Sequence, residues 1–252
     1  GEALLLLGDV FLELGNFEAA LDQFQEALIL FEKKADPLLK AKALNGLGEY
    51  HYKKNDFSEA ERYYRKALVL RENQLGALDR EVANSYNNLG NCFVSTGRYA
   101  DALEMHQKAL DIRQQVLPAG HAAFAVSHSN LANCLYFAGD YAGALSQYEA
   151  AVNIRLQALD AGHPKMALLY NNLGNCYVAL GRTDMALQYY EQSLAIRKQH
   201  FGANHPSIAN VLENIGDLSV SNGDYLAALD NFREAYNIQK EVQGVTSLAA
   251  AS

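Results

Sequence analysis

The feature that most constrains this chain is a period. "NNLGNC" begins at Asn87 and again at Asn171, and "SNLANC" begins at Ser129 between them. The small residue after the leucine recurs at Gly48, Gly90, Ala132, Gly174 and Gly216, in steps of 42 residues, and Gly8 opens the series 40 residues earlier. A turn repeats in phase at Gly15-Asn16, Asn55-Asp56, Gly97-Arg98, Gly139-Asp140, Gly181-Arg182 and Gly223-Asp224. An alanine comes after each turn, at Ala20, Ala60, Ala102, Ala144, Ala186 and Ala228. Self-similarity of this length marks a supersecondary unit that cannot bury its apolar face alone and must stack on its neighbours.

The stretch from Asn171 to Tyr190 shows what the unit is. It reads as a helix, a tight turn at Gly181-Arg182, and a second helix from about Thr183. Gly174 and Ala186 are small where the two helices cross, and Leu173, Tyr177 and Tyr190 fill the space around them. Six such hairpins are expected over about residues 1–36, 37–78, 79–120, 121–162, 163–204 and 205–246, with a tail at 247–252. In the first, the second helix is expected over Phe17 to Lys34. Asp36-Pro37 reads as an N-cap followed by proline at the first helical position. The last second helix is expected to fade near Gln243, with no polar capping helix after it, leaving its apolar face uncovered.

Composition is compatible with this. Half of the 252 residues are hydrophobic, but no apolar run approaches the roughly 18 residues of a membrane span. The early "ALLLL" has no basic flank or cleavage site and fits a first helix better than a signal peptide. Four prolines and no low-complexity tract argue against long linkers. The absence of an initiating Met is expected of a fragment or a processed chain.

Chemistry-bearing residues fall into the repeat. Cys92, Cys134 and Cys176 stand 42 apart, two residues after the small residue, where other repeats have Val10, Tyr50 and Leu218. Equivalent positions on neighbouring helices lie about 8–10 Å apart, beyond the roughly 7 Å reach of a disulfide. They are read as buried, inert thiols, which fit a cytoplasmic protein. His163 and His205 precede prolines in equivalent links, where a side chain can cap the next helix; His121 precedes Ala122 instead. His51, His106 and His128 occupy positions that are apolar or aromatic elsewhere. No histidine pair has metal-ligand spacing, and no nucleophile or phosphate loop stands in a motif. The expectation is a non-enzyme with no catalytic residue, no metal and no cofactor.

Tyr170, Leu173, Gly174, Tyr177, Ala186 and Tyr190 together resemble the tetratricopeptide repeat. The chain departs from it in having no Trp and a period of 42 rather than about 34 residues, the extra length falling to the second helix and its link. With "LNNLG"-like starts, "ALxIR" endings (Ala109 to Arg113) and Gly-x-x-His-Pro links (Gly202 to Pro206), it resembles the kinesin-light-chain subclass. The resemblance implies an all-α, right-handed superhelical α-solenoid that binds extended peptides on its concave face.

At 100° per residue, positions two before and one after the small residue point away from the packing side. They hold Asn88 and Asn91, Asn130 and Asn133, Asn172 and Asn175, then Asn214 and Asp217, with Asp9 in the first repeat. By the resemblance these line the concave groove. A primary amide carries donor and acceptor, so a row of them can hold a peptide main chain. The alternative is that they bond only to neighbouring asparagines or to water. Tyr52, Tyr136 and Phe137, four or five residues after the small residue, are candidates to stack on ligand side chains.

Charge narrows the partner. Residues 1–36 hold eight acids and two bases, residues 206–252 six acids and two bases, and the middle is slightly basic within a net −8. Without a basic stripe, nucleic acid is not an expected partner, and no membrane segment is present. The groove positions also lack the paired basic residues of tetratricopeptide carboxylate clamps. The chain therefore reads as a cytoplasmic adaptor or scaffold module binding an extended segment of a partner protein. The alternatives are self-assembly (a homo-oligomer through the C-terminal end) and a sensor array attached to another domain.

Overall fold

The computed structural model describes residues 1–249, with side chains through Glu241. The described residues form twelve helices and no strand: α1 Glu2–Glu13, α2 Phe17–Lys33, α3 Pro37–Lys53, α4 Phe57–Leu75, α5 Arg80–Ser95, α6 Tyr99–Val116, α7 Ala123–Phe137, α8 Tyr141–Leu156, α9 Pro164–Ala179, α10 Thr183–Phe201, α11 Pro206–Ser221 and α12 Tyr225–Ala249. Taken in pairs they are the six expected helix-turn-helix repeats of an all-α solenoid. The helix α12 continues past Gln243, where the sequence pattern fades, because the alanines and leucine near its end are good helix formers.

Local chemistry sets the boundaries. Asn16, Asp36, Asp56 and Asp140 each accept a hydrogen bond from the backbone N–H three residues on, closing the first turn of the next helix. Pro37 succeeds the Asp36 cap as expected. His163 and His205 cap too, accepting at Nδ1 from Lys165 and Ser207 N–H. His121 does the same for Ala123 without a proline. The tight turns need a left-handed residue, which Gly15, Gly97, Gly139, Gly181 and Gly223 supply, and Asn55 takes that place in the second repeat at φ 60°.

The chain divides into two compact units, Gly1–Ala138 and Gly139–Ser252. The helices of the fourth repeat fall on either side of the division. In the first unit each helix from α1 to α7 packs on the next, and first helices also meet, α1 with α3 and α5 with α7. In the second unit α8 to α12 pack in succession.

Packing explains the glycine after the leucine. The Phe24 ring lies between Gly8 and Gly46, so close that a Cβ on either would fall about 2.5 Å from Phe24 Cε1 (2.5 and 2.4 Å). Tyr64 presses on Gly48 and Tyr190 on Gly174 in the same way. Burying one such ring contributes about 1.5–3 kcal/mol. The "ALxIR" arginines tie second helices to the first helix of the next repeat. Arg71 Nη1 donates to Ser85 Oγ at 2.7 Å, Arg113 Nη1 to Ser127 Oγ at 2.6 Å, and Arg197 Nη1 to the Ser207 carbonyl at 2.9 Å. Arg71 also pairs with Glu81 at 3.2 Å. Burial holds all three guanidinium groups below their ordinary pKa.

The three cysteines are buried and free, as their spacing predicts. Burial pushes each thiol up to about 12. Of the residues sharing their repeat position, Leu218 is buried, but Val10 is exposed on α1.

Candidate functional site

In the first unit, the helices α3, α5 and α7 carry a run of half-buried asparagines along one face. Asn88 Nδ2 donates to Asn45 Oδ1 at 3.0 Å, and Asn130 Nδ2 donates to Asn87 Oδ1 at 2.6 Å. Each bond joins residues 43 apart, so a side chain two before the small residue reaches one three before it in the preceding repeat. The second unit repeats the device. Asn214 Nδ2 donates to Asn171 Oδ1 at 3.2 Å and lies 3.5 Å from Asn175 Oδ1, which also accepts from the Tyr190 hydroxyl at 2.7 Å.

These ladders use only part of each amide. A primary amide has two N–H donors and two acceptor lone pairs, and one bond to a neighbour leaves the rest for water or a ligand. Both readings of the sequence therefore meet here: the asparagines do bond to one another, and they keep further capacity on a half-exposed surface. Asn45, Asn87 and Asn171, absent from the expected groove set, belong to the row. The doubled "NN" before Leu89 and Leu173 is the sequence signal for them.

Four of the expected residues come together. Tyr52, Asn91, Asn130 and Asn133 line one depression of about 150 Å³ with Val94 and His106. Tyr52 is held there by a bond between its hydroxyl and Ser95 Oγ at 2.9 Å and by an edge contact with Phe57. Tyr136 is half-buried, edge-on to Phe137 at 5.7 Å. Phe137 is 56% exposed and stacks on Tyr99, with ring centroids 6.0 Å apart. In the second unit, Asn172 is half-buried and Asp217 exposed.

Asp9 lies elsewhere. It lines a separate depression of about 330 Å³ in the first unit with Glu2, Lys42, Asn45, Arg71 and Glu81. Burial, then the nearby Glu13, raise its pKa. Glu49, the residue after Gly48, occupies the position that Asn91 holds in the next repeat, and it too lies outside the expected set. Burial raises its pKa against the opposing pull of Lys53, with Asp9 and Glu13 adding to the rise. Lys53 is bonded to Glu13 at 2.8 Å. This end of the row is acidic and only partly compensated. Among the described residues, no three His, Cys, Asp or Glu side chains gather as metal ligands would, and no helix is long and apolar enough to cross a membrane.

The model of the tetratricopeptide repeat family matches residues 1–72, 39–115 and 123–199. No curated protein matches the chain in sequence. Among solved structures, BtubC (BKLC) from P. vanneervenii is 24% identical, with a TM-score of 0.77 over 90% of this chain and 92% of that one. A protein of nearly identical kinesin light chain and tetratricopeptide-like repeats from Podosopora anserina is 20% identical, with a TM-score of 0.69 over 80% and 95%. A Rap protein complexed with Competence and Sporulation Factor is 17% identical, with a TM-score of 0.64 over 94% and 74%.

Proposed function

Since this chain belongs to the tetratricopeptide repeat family, whose members generally serve as non-enzymatic scaffolds, we propose that it is an adaptor module that binds an extended segment of a partner protein along its asparagine rows. The observation that carries this reading is the pairing of Asn88 with Asn45 and Asn130 with Asn87. The pairs fix the amides in place while leaving donors and acceptors toward solvent, so a peptide main chain meets preorganised partners. Asn is a mediocre helix former, and its repeated use on these helices is explained by such a role. The partly compensated carboxylates of Asp9 and Glu49 favour a segment with a basic residue near that end. Three buried, reduced thiols support a cytoplasmic setting for the module.

The test uses phage-displayed random dodecapeptides selected on the full chain. Affinity of the selected peptides is then measured for the parent and for Asn88→Ala/Asn130→Ala. Two lost hydrogen bonds at about 0.5–1.5 kcal/mol each weaken binding by roughly 5- to 150-fold. Equal affinity for both proteins would remove the row as the site.

A second reading, self-association, is favoured by apolar side chains on the first and last helices. Leu6, Leu7, Val10 and Leu14 at α1 and Tyr225, Leu226 and Tyr236 on α12 are exposed. Sedimentation of a concentration series decides it, since a monomer at every concentration excludes this reading.

A further inference from the structure

His106 stands where four other hairpins put a six-membered ring. Phe24, Tyr64, Tyr190 and Phe232 each press on the small residue of their own first helix, and His106 presses on Gly90. An imidazole lacks the outer atoms of a tyrosine ring and the hydroxyl with which Tyr190 reaches Asn175. Asn91, the counterpart of Asn175, gains no such donor from His106. The space so left is the depression of about 150 Å³ lined by Tyr52, Asn91, Val94, Asn130 and Asn133. A cavity of about that size holds a benzene-sized group.

The ring that closes this depression is 1% exposed, and neither of its nitrogens has a hydrogen-bond partner. An unpaired buried polar atom is unfavourable, and here two sit beside a space open to the row. A neutral imidazole offers one donor and one acceptor. Burial first, and Arg113 second, hold His106 down to about 4, so it is neutral in ordinary conditions. No lining side chain is charged at neutral pH. An entering ammonium would find no countercharge and would feel Arg113, and a carboxylate would need the ring to take up a proton it resists.

We infer that the His106 depression is a side-chain subsite of the peptide-binding row, taking from the bound segment an uncharged side chain that ends in an amide or a hydroxyl. The inference rests on the peptide-binding reading above and adds specificity to it: the asparagines hold the main chain, and His106 reads one residue.

The experiment runs the same dodecapeptide selection on the parent and on His106→Tyr, which fills the space as Tyr190 does in its own repeat. Peptides selected on the parent should share one position rich in Asn, Gln, Ser or Thr. Changing that residue to Ala or Asp should weaken binding to the parent at least tenfold and to His106→Tyr less than twofold. Peptides with no such position, binding both proteins alike yet weakened by Asn88→Ala, would sink the subsite and leave the row standing. Peptides indifferent to Asn88→Ala would sink the row itself, and a parent that selects no peptide would sink both. In case His106→Tyr does not fold, the ring ¹⁵N resonances of His106 in the parent give an independent readout. They should shift when a selected peptide binds. Unchanged resonances mean that solvent alone occupies the depression, and they overturn the inference.

Discussion

Gly90 lies so near the His106 ring that a Cβ on it would stand 2.6 Å from Cε1 and Nε2. The same contact recurs between Gly174 and Tyr190, at 2.4 Å from Cε1. Glycine here is a packing requirement, since both residues lie within helices and neither needs a left-handed backbone.

Gly174→Ala should therefore destabilise the protein, although alanine is the better helix former by about 1 kcal/mol. The Tyr190 ring is buried and tied to Asn175, so it cannot swing away from the new methyl. Overpacking of this kind costs about 1–3 kcal/mol. Urea unfolding of the variant checks it; unchanged stability would show that the helices separate freely.

The asparagine pairs should matter little to stability. Asn130→Ala removes the bond to Asn87, but both residues are half-exposed, so water satisfies the amide left behind. The expected change is under about 1 kcal/mol of either sign, because the gain in helix propensity offsets the lost bond. A loss of several kcal/mol in a double-mutant cycle with Asn87→Ala would mark the ladder as structural instead.

The cysteines should be inert in the folded protein. With thiols pushed up to about 12, little thiolate exists at about pH 8, and burial denies a reagent access. Labelling should be slow natively and fast in denaturant. Rapid native labelling of all three would show that the repeats open far more often than their packing implies.

Acid should destabilise the protein through His106. Its folded pKa is held down to about 4, against 6.5 for the free side chain, by burial and by Arg113. Above about pH 6.5 both states are neutral and the full stability is present. As pH falls from 6.5 towards 4 the unfolded chain takes up a proton that the folded chain refuses, so stability is lost across that window. The total is on the order of 3 kcal/mol. Unfolding free energies at about pH 7.5 and about pH 4.5 should drop more for the parent than for His106→Phe, which keeps every carboxylate. Equal drops would mean that the ring is protonated in the fold.

The sequence is legible where its signal is local or periodic. Asp36-Pro37 and His163-Pro164 announce helix starts because a cap and a proline act within three residues of each other. Cys92, Cys134 and Cys176 declare themselves packing residues through their common phase. The groove is only partly legible. Asn88 and Asn91 emerge from their angular position, but Asn45, Asn87 and Glu49 do not, and Asp9 groups by position with residues that line a different depression. His106 reads as a ring-packing position, which it is, but its missing hydroxyl has consequences that appear only beside Asn91.

By itself, then, the sequence determined the repeat, its six helix pairs, their turns and caps, and the side of each first helix that is free of packing. These features arise from the 3.6-residue period and from contacts a few residues long, which any stretch of chain displays. The tertiary structure alone decided which amide bonds to which across 43 residues, which carboxylates share a depression, and where two ring nitrogens are buried without a partner. Such facts depend on side-chain reach between neighbouring hairpins, and a one-dimensional pattern does not encode distance between residues that only packing brings together.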